Sequence, residues 1–422
     1  MNELYEKMGV FNIQLNKHQA LEDLDILKYI LLTAYSEMET IIDKGFNIEE
    51  CFGNLRNIIS KYESINAKDF FNQIVNALTD IKDFHLVFLN PYFNSVHTFC
   101  QHSQIYFSDI YVTKTETGKY NVYNSNIEEL ENGTELEVDG DFIFPALSNN
   151  GNKLYILGKM SAIPINSITL TILNKPIQIP LHECKVKDLS NNKSLYSMYK
   201  VKDFDVVKCT GLTYFTNEGY KLLMEFAKYG EELRHSKGII LDLRGNGGGD
   251  SHIAVDFIKN LNTICDYNFE YKKLNSLPSR LSELTMNSYE NSVLQLKREE
   301  CYSNIQSQWE TIENGVIEKG TYNNPFIILT DAETASSAEI FIKLCKNYLS
   351  NCIITGENTK GCLNTGDIRY FYLPNSLTFL NIPTAKFPNI FEEGIGFIPD
   401  YWIDNYDPIT CIVNWLEGGS SK

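Results

Sequence analysis

The chain has 422 residues, of which 43% are hydrophobic and 22% charged, and its formal net charge is -17. This composition is typical of a globular protein large enough for two or three domains, while the acidic balance argues against a nucleic-acid partner. The ten cysteines show neither Cys-x-x-Cys spacing nor a zinc-type Cys/His cluster, so no metal and no cofactor is expected. Because no secretion signal and no apolar run long enough for a membrane span is visible, we expect a cytoplasmic protein with free thiols.

The first part of the chain shows helical periodicity. Apolar residues recur with a 3.6-residue period over 21–42, 49–62 and 67–81, which predicts three helices. The pattern then changes to that of a strand, so that His85 lies at a helix-to-strand junction. A histidine there is either a structural side chain or a general base. We assign residues 1–95 to an N-terminal helical domain that carries His85.

The next hundred residues consist of short runs with β propensity separated by turns. The clearest signal is a hairpin over 167–181, and short strands are expected over 106–113, 120–123, 135–138 and 153–157. No residue pattern in this part indicates a catalytic or ligand-binding site. We assign residues 96–195 to a β-rich middle domain.

A glycine-rich turn follows a buried strand in the last part of the chain. The strand spans 238–243, three glycines stand at 247–249, and a helix begins at Ser251. This arrangement exposes backbone amides and favours an anion or oxyanion site. The phosphate-binding patterns with Gly-Lys-Ser/Thr or GxGxxG are absent. Asp242 and Arg244 are expected to form an ion pair that fixes the loop.

A second strand-to-helix turn carries two serines. Residues 326–329 predict a strand and 338–347 a helix, with Ser336 and Ser337 between them. A serine at this position either caps the helix or presents a nucleophilic hydroxyl near the helix amides. Residues 265–320 are polar and are interpreted as an insertion, and 368–382 predict a hairpin. We assign residues 196–422, with that insertion, to a catalytic domain.

Five motifs in this order resemble the S41 serine peptidases, the C-terminal-processing and tricorn-core family. They are KDFHLVF (82–88), GIILDLRGNGGG (238–249), ILTDAETASSAEIF (328–341), TGENTKG (355–361) and GFIPD (396–400). The resemblance implies an α/β fold with a crotonase-like (ClpP-like) spiral catalytic domain and an N-terminal helical bundle. Many members carry a PDZ domain between the two, and the middle domain here is at best PDZ-like.

The resemblance also implies the site. The family serine lies three residues before a glutamate, which is Glu339 here, and this selects Ser336 as the nucleophile. The backbone amides of Ser337 and Gly248 would form the oxyanion hole. The processing branch uses a lysine where this chain has Cys362. The tricorn-core branch instead uses a histidine that matches His85.

The tricorn-core branch supports its histidine with a glutamate that matches Glu393. Glu392 and Asp83 remain alternatives, because Phe84 stands where that branch has a linking serine. His252, and a pair formed by Cys362 and His85, are weaker rivals.

Three functions follow from this site. The first is a serine peptidase that cleaves peptides or unstructured chain ends through an acyl-enzyme on Ser336, with His85 as base. The second is a non-catalytic protein of the same fold that binds hydrophobic ligands or peptides. The third is an acyltransferase in peptide maturation. The expected partner is a peptide or protein substrate, and a homo-oligomer is left open.

Overall fold

A computed structural model describes residues 13–172, 175–187, 194–262, 271–279, 282, 308–312, 321–388 and 392–418. The helices are α1 (Lys17–Ala34), α2 (Met38–Asp43), α3 (Ile48–Ile59), α4 (Ala67–Ala77), α5 (Asn217–Leu233), α6 (Ser251–Asn262), α7 (Ser337–Tyr348) and α8 (Pro408–Gly418). Short 3₁₀ turns span Pro91–Phe93 and Gly140–Phe142. Most of the predicted insertion at 265–320 lies outside the described residues.

The strands in chain order are β1 (Gln14–Asn16), β2 (Ser64–Asn66), β3 (Val87–Asn90), β4 (Ser95–Thr98), β5 (Gln104–Lys114), β6 (Tyr120–Asn124), β7 (Glu135–Leu136), β8 (Ile143–Leu147), β9 (Lys153–Ser161), β10 (Ser167–Ile172) and β11 (Lys175–Pro180). They continue with β12 (His182–Glu183), β13 (Tyr196–Val201), β14 (Phe204–Cys209), β15 (Ile239–Asp242), β16 (Tyr271–Asn275), β17 (Gln308–Ile312), β18 (Phe326–Thr330), β19 (Cys352–Gly356), β20 (Thr365–Tyr372), β21 (Phe379–Lys386) and β22 (Tyr401–Trp402). The chain is thus a mixed α/β protein.

The chain forms two compact units. The first consists of Met1–Gln101, Asn268–Asn314 and Asn364–Glu393, and the second of His102–Tyr267, Gly315–Leu363 and Gly394–Lys422. The division into three domains at 95/96 and 195/196 stays a prediction. Strands from the predicted middle domain belong to the same sheet as strands of the predicted catalytic domain, since β8 pairs with β22.

The first unit packs helices on an antiparallel sheet. In its described residues the sheet has the order β17-β16-β21-β3-β4, and β20 also pairs with β21. The apolar faces of α1, α3 and α4 meet this sheet in one core, which includes Leu24, Leu55, Phe70, Phe88 and Leu380. The predicted hairpin over 368–382 is confirmed by β20 and β21.

The predicted helix over 21–42 is wrong in one respect, because it is two helices with a break after Ala34. Tyr35 adopts an extended backbone at the end of α1. Its hydroxyl donates to Asp83 at 2.9 Å, and the Ser36 amide donates to Pro383 O at 3.0 Å. Tertiary hydrogen bonds therefore override the helical periodicity here.

The second unit contains a long mixed sheet. Within the described residues its order is β13-β14-β15-β18-β19-β22-β8-β9-β5-β6-β7, and β12 also pairs with β5. The run from β14 to β8 is parallel. The predicted hairpin over 167–181 is confirmed by β10 and β11, which pair with each other.

Helices cover the central parallel strands on both faces. On one side Ile240 and Ile327 join a core with residues of α8 such as Ile412. The neighbouring residues of these strands are also buried, and the alternation of a strand turns them to the other face. There α5, α6 and α7 share an aromatic cluster, Phe226, Phe257 and Phe341.

This packing places two loops at one edge of the sheet. Strands β15 and β18 are parallel neighbours, with Asp242 opposite Leu329. Their carboxyl ends therefore lead into the glycine-rich loop and the serine turn side by side, which is where α/β sheets commonly carry their sites. Of the helices that the structure describes, none combines the length and apolar character needed to cross a membrane.

Candidate active site

The serine turn binds the main chain of the glycine-rich loop through both side-chain and main-chain groups. The Asp331 carboxylate accepts the Gly245 amide at 3.0 and 3.1 Å. The Ala335 amide donates to Asn246 O at 2.9 Å, and the Thr334 hydroxyl donates to Leu243 O at 3.0 Å. These bonds hold the two loops in one rigid arrangement.

Ser336 has a strained backbone at the start of α7. Its φ is 54° and its ψ is -121°, outside the regions that L-residues ordinarily occupy. Such a conformation costs about 1–3 kcal/mol and is concentrated at functional sites. A strained serine on a sharp strand-to-helix turn is also how a nucleophile elbow presents its hydroxyl. The geometry goes beyond what a helix cap requires.

Ser337 is the first residue of α7, so its amide has no partner within the helix. This amide donates no hydrogen bond to any of the residues that the structure describes. The Ser337 hydroxyl donates to Gly249 O at 2.6 Å. The amide is therefore available next to Ser336, and the side chain ties the helix start to the glycine-rich loop.

Gly248 touches the serine turn through its backbone. A Cβ added at this glycine would lie 2.8 Å from Ser337 N, 2.9 Å from Ala335 O and 2.9 Å from Ser336 Cβ, and its φ is +95°. Only glycine fits this contact.

The Gly248 amide donates to Asn246 Oδ1 at 3.0 Å. It is thus engaged inside its own loop in this conformation. Service as an oxyanion donor would require that bond to be shared or released.

The buried Glu339 carboxylate links the serine to the loop after β19. It accepts the Ser336 amide, the Gly361 amide and the Cys362 amide, each at 2.9 Å, and the Thr359 hydroxyl at 2.5 Å. Burial raises the pKa of Glu339 to about 7, although these four donors oppose the shift. Glu339 therefore positions the nucleophile rather than contacting a substrate.

The predicted ion pair of Asp242 and Arg244 is confirmed. The guanidinium donates to both carboxylate oxygens, from Nε to Oδ1 at 2.9 Å and from Nη2 to Oδ2 at 2.7 Å. Arg244 also donates to Val186 O at 2.9 Å. Both side chains are buried, so the bidentate pair anchors the glycine-rich loop.

His85 lies in the first unit, within a network of side chains. Its Nδ1 is 3.2 Å from Thr365 Oγ1, and that hydroxyl donates to Asp83 Oδ1 at 2.9 Å. The Asp83 carboxylate also accepts the His85 amide at 2.8 Å and the Tyr35 hydroxyl at 2.9 Å. Since the Thr365 hydroxyl donates its own hydrogen to Asp83, its oxygen acts as the acceptor of a hydrogen bond from Nδ1–H, so the imidazole lone pair is on Nε2.

The pKa values in this network are shifted by burial. Burial lowers the pKa of His85 to about 4, so the imidazole is neutral at physiological pH. Burial raises the pKa of Asp83, against hydrogen bonds from Thr365, His85 and Tyr35. Burial and the Asp83 charge together raise the pKa of Tyr35 well above its usual value.

The three candidate carboxylates are placed differently. Asp83 contacts the histidine residue and Thr365 directly, as given above. Glu393 Oε1 accepts a hydrogen bond from the Phe84 amide at 3.2 Å. Phe84 is the residue immediately before His85. Glu392 is exposed.

Thr365 and Tyr35 were missed by the sequence analysis. Neither lies in one of the five motifs, and they are separated from His85 by 280 and about 50 residues. No local spacing could have identified them.

The rival residues have other contacts. The Cys362 side chain is buried, and its amide donates to Glu339. His252 is exposed in the first turn of α6, where its amide donates to Asp250 Oδ1 at 2.9 Å.

One cluster of metal-ligand type occurs among the described residues, formed by Asp109, His182 and Asp404. The Lys185 ammonium lies 3.2 Å from Asp109 Oδ1 and 3.1 Å from Asp404 Oδ2. It supplies the positive charge that these carboxylates need, so we interpret the cluster as an ion-pair network.

Comparison with known proteins is consistent with this geometry. Residues 203–401 match the model of Peptidase family S41. The solved structures similar to this chain include the S499A mutant of CPAF (14% identity, TM-score 0.51, 95% of this chain and 97% of that chain) and mature CPAF (14% identity, TM-score 0.50, 95% of both chains). At this identity they show the fold alone. No curated protein sequence matches the chain. Through residues 203–401 the chain belongs to peptidase family S41, and it is a serine-type peptidase.

Proposed function

We propose that this peptidase cleaves peptides or unstructured chain ends through an acyl-enzyme on Ser336, with His85 as the general base. The observation that carries the proposal is the strained Ser336 backbone beside the unbonded amide of Ser337. A nucleophile and an oxyanion donor are thereby supplied by consecutive residues of one turn.

The proposed base is the neutral form of His85. Its Nδ1–H donates a hydrogen bond to Thr365 Oγ1, so Nε2 is the nitrogen that would accept the proton of the Ser336 hydroxyl. We further propose that Asp83, acting through Thr365, is the carboxylate that supports the histidine. Glu393, the acid implied by the family resemblance, would then help to position the 83–85 segment through the Phe84 amide.

The steps follow the chemistry of acyl transfer. The Ser336 oxygen attacks the substrate carbonyl while its proton passes to His85, and the Ser337 amide stabilises the resulting oxyanion. The Gly248 amide adds a second donor if it releases Asn246. Protonated His85 then donates to the leaving amine, and water hydrolyses the acyl-enzyme by the same route in reverse order.

The finer structural expectations are part of the same proposal. They are the crotonase-like spiral of the catalytic domain, the PDZ-like middle domain and the cytoplasmic location. Acyl transfer to an amine would use the same intermediate, and mass spectrometry of the products separates it from hydrolysis.

The test uses a fluorophosphonate probe and a peptide library read by mass spectrometry. Ser336→Ala should abolish both labelling and cleavage, because of the serines that the structure describes only Ser336 has this strained backbone. Ser337→Ala is the matched control and should still be labelled, since its amide rather than its hydroxyl is proposed to act.

His85→Ala should lower the cleavage rate by roughly 10⁴-fold. Labelling that survives Ser336→Ala in a folded protein would show that the assignment is wrong. Unchanged cleavage in His85→Ala would exclude the proposed base.

A further inference from the structure

We propose that an exposed aromatic rim, defined as Tyr214, Phe215 and Tyr220, binds a large apolar side chain of the peptide substrate within a few residues of the scissile bond. This inference rests on the proposed function, because it assigns a specificity surface to the same site.

The rim exposes aromatic rings that proteins usually bury at least in part. Phe215 is 89% exposed, Tyr214 39% and Tyr220 42%. The two tyrosine rings pack with their centroids 5.0 Å apart. A cluster of aromatic side chains in water indicates a contact surface rather than a core.

The two residues that precede the rim, Leu212 and Thr213, are bonded directly to the glycine-rich loop. The Leu212 amide and the Thr213 hydroxyl both donate to Gly248 O, at 2.9 and 3.2 Å. The Asp250 amide donates to Leu212 O at 2.8 Å, and the Tyr214 hydroxyl lies 3.4 Å from Asp250 Oδ2. The rim is thereby attached on both sides of the glycine that touches Ser336.

The close approach at Gly249 makes this attachment rigid. A Cβ at Gly249 would lie 2.2 Å from the carbonyl carbon of Leu212 and 2.4 Å from Thr213 N. The backbone that leads into the rim therefore keeps a set position relative to the glycine-rich loop, as a specificity surface requires.

The spacing sets which part of a substrate can reach the rim. Phe215 follows Thr213 by two residues, and each residue of a chain spans at most about 3.5 Å, or roughly 7 Å in total. Phe215 therefore lies within about 7 Å of chain from Thr213, which bonds Gly248 O, so an extended peptide whose carbonyl lies at Ser336 can reach Phe215 with a residue a few positions away.

The backbone beside the rim is also open to a peptide. The amides of Tyr214 and Phe215 carry no hydrogen bond in the part of the chain that the structure describes. An extended substrate could pair with them while its side chain packs on the rings. The occupant to which this geometry points is thus a substrate segment with a phenylalanine-like side chain.

The experiment uses fluorogenic peptides that differ only in carrying Phe or Ser at one position, which is moved from one to four residues away on each side of the scissile bond. The wild-type enzyme should prefer Phe at one of these positions by about tenfold in kcat/KM, as expected for burying one aromatic ring. In Phe215→Ala this ratio should fall to near one, and in Tyr220→Ala it should fall in part. The change should appear mainly in KM.

Tyr123→Ala is the matched control, because it removes a tyrosine that is 46% exposed on β6, at the far end of the sheet. It should keep the wild-type ratio. Thermal unfolding of each variant confirms that the fold is intact.

The inference is overturned if no position shows a preference, or if the preference persists in Phe215→Ala. Absence of any Ser336-dependent labelling in the wild-type enzyme would instead overturn the proposed function, and the inference with it.

Discussion

The nucleophile turn of the second unit and the histidine network of the first are built in different ways. The turn around Ser336 is joined to the glycine-rich loop by hydrogen bonds that have a main-chain group on at least one side, such as Ala335 N to Asn246 O. The network around His85 is held by the side chains of Tyr35, Asp83 and Thr365. Geometry made by the main chain needs glycines and short polar residues at consecutive positions, whereas a side-chain network can draw on any part of the sequence.

Each of the two regions is nevertheless organised by one buried carboxylate. Glu339 accepts three amides and one hydroxyl, and Asp83 accepts two amides and two hydroxyls. Burial raises the pKa of both carboxyls. The difference lies in what they hold, because Glu339 holds loop backbone and Asp83 orients an imidazole through Thr365.

The largest effect should come from disturbing the main-chain contact. Gly248→Ala would place a methyl group 2.8 Å from Ser337 N on a backbone with φ +95°, so the oxyanion site must distort. We expect kcat/KM to fall by a hundredfold or more, the order found on losing an oxyanion donor.

Gly247→Ala is the matched control, because no atom of the described residues, apart from its chain neighbours, lies within 4 Å of an added Cβ there. It should retain activity. An active Gly248→Ala enzyme would show that the turn is not held as tightly as the contact implies.

A smaller effect is expected from removing one hydroxyl in the histidine network. Thr365→Val removes the hydroxyl that accepts the hydrogen bond from His85 Nδ1–H and that donates a hydrogen bond to Asp83. The loss of a buried hydrogen bond should lower kcat by about tenfold, and the pH dependence should change because the tautomer is less well fixed.

Thr359→Val makes the same deletion beside Glu339 in the second unit. It should lower activity without altering the pH dependence that His85 imposes. If Thr365→Val behaves like the wild type, Thr365 does not link Asp83 to the histidine.

The smallest effect is expected in the unmodified enzyme, where the loss of activity at acid pH should occur at a lower pH than for an ordinary histidine base. Protonated His85 cannot accept a proton, and burial lowers its pKa to about 4. Activity should therefore persist below pH 6.5, where an ordinary histidine titrates, and be lost as the pH falls through about 4. The rate of fluorophosphonate labelling against pH measures this.

A loss of activity as the pH falls through about 7 would instead be assigned to Glu339 in the nucleophile turn, because burial raises the pKa of Glu339 to about 7. That loss should disappear in Glu339→Gln. A loss near pH 6.5 that survives this substitution would contradict the lowered pKa of His85.

The two regions differ in how much of their structure local sequence patterns predict. The strand, turn and helix around Ser336 were predicted from local patterns, and β18 and α7 agree with them. The ion pair of Asp242 and Arg244 was predicted because its members are two residues apart. The break at Tyr35 was missed, because the bonds that cause it come from Asp83 and Pro383.

The sequence by itself determined the family motifs, the nucleophile candidate and the glycine that touches it, because main-chain geometry constrains residue type at consecutive positions. Only the tertiary structure decided that Thr365 hydrogen-bonds both the His85 ring and Asp83. The same holds for the hydrogen bond from the Gly248 amide to Asn246 and for the exposure of Phe215 near the glycine-rich loop. These contacts join residues distant in the chain or depend on the direction of a side chain, and no periodicity or spacing records either.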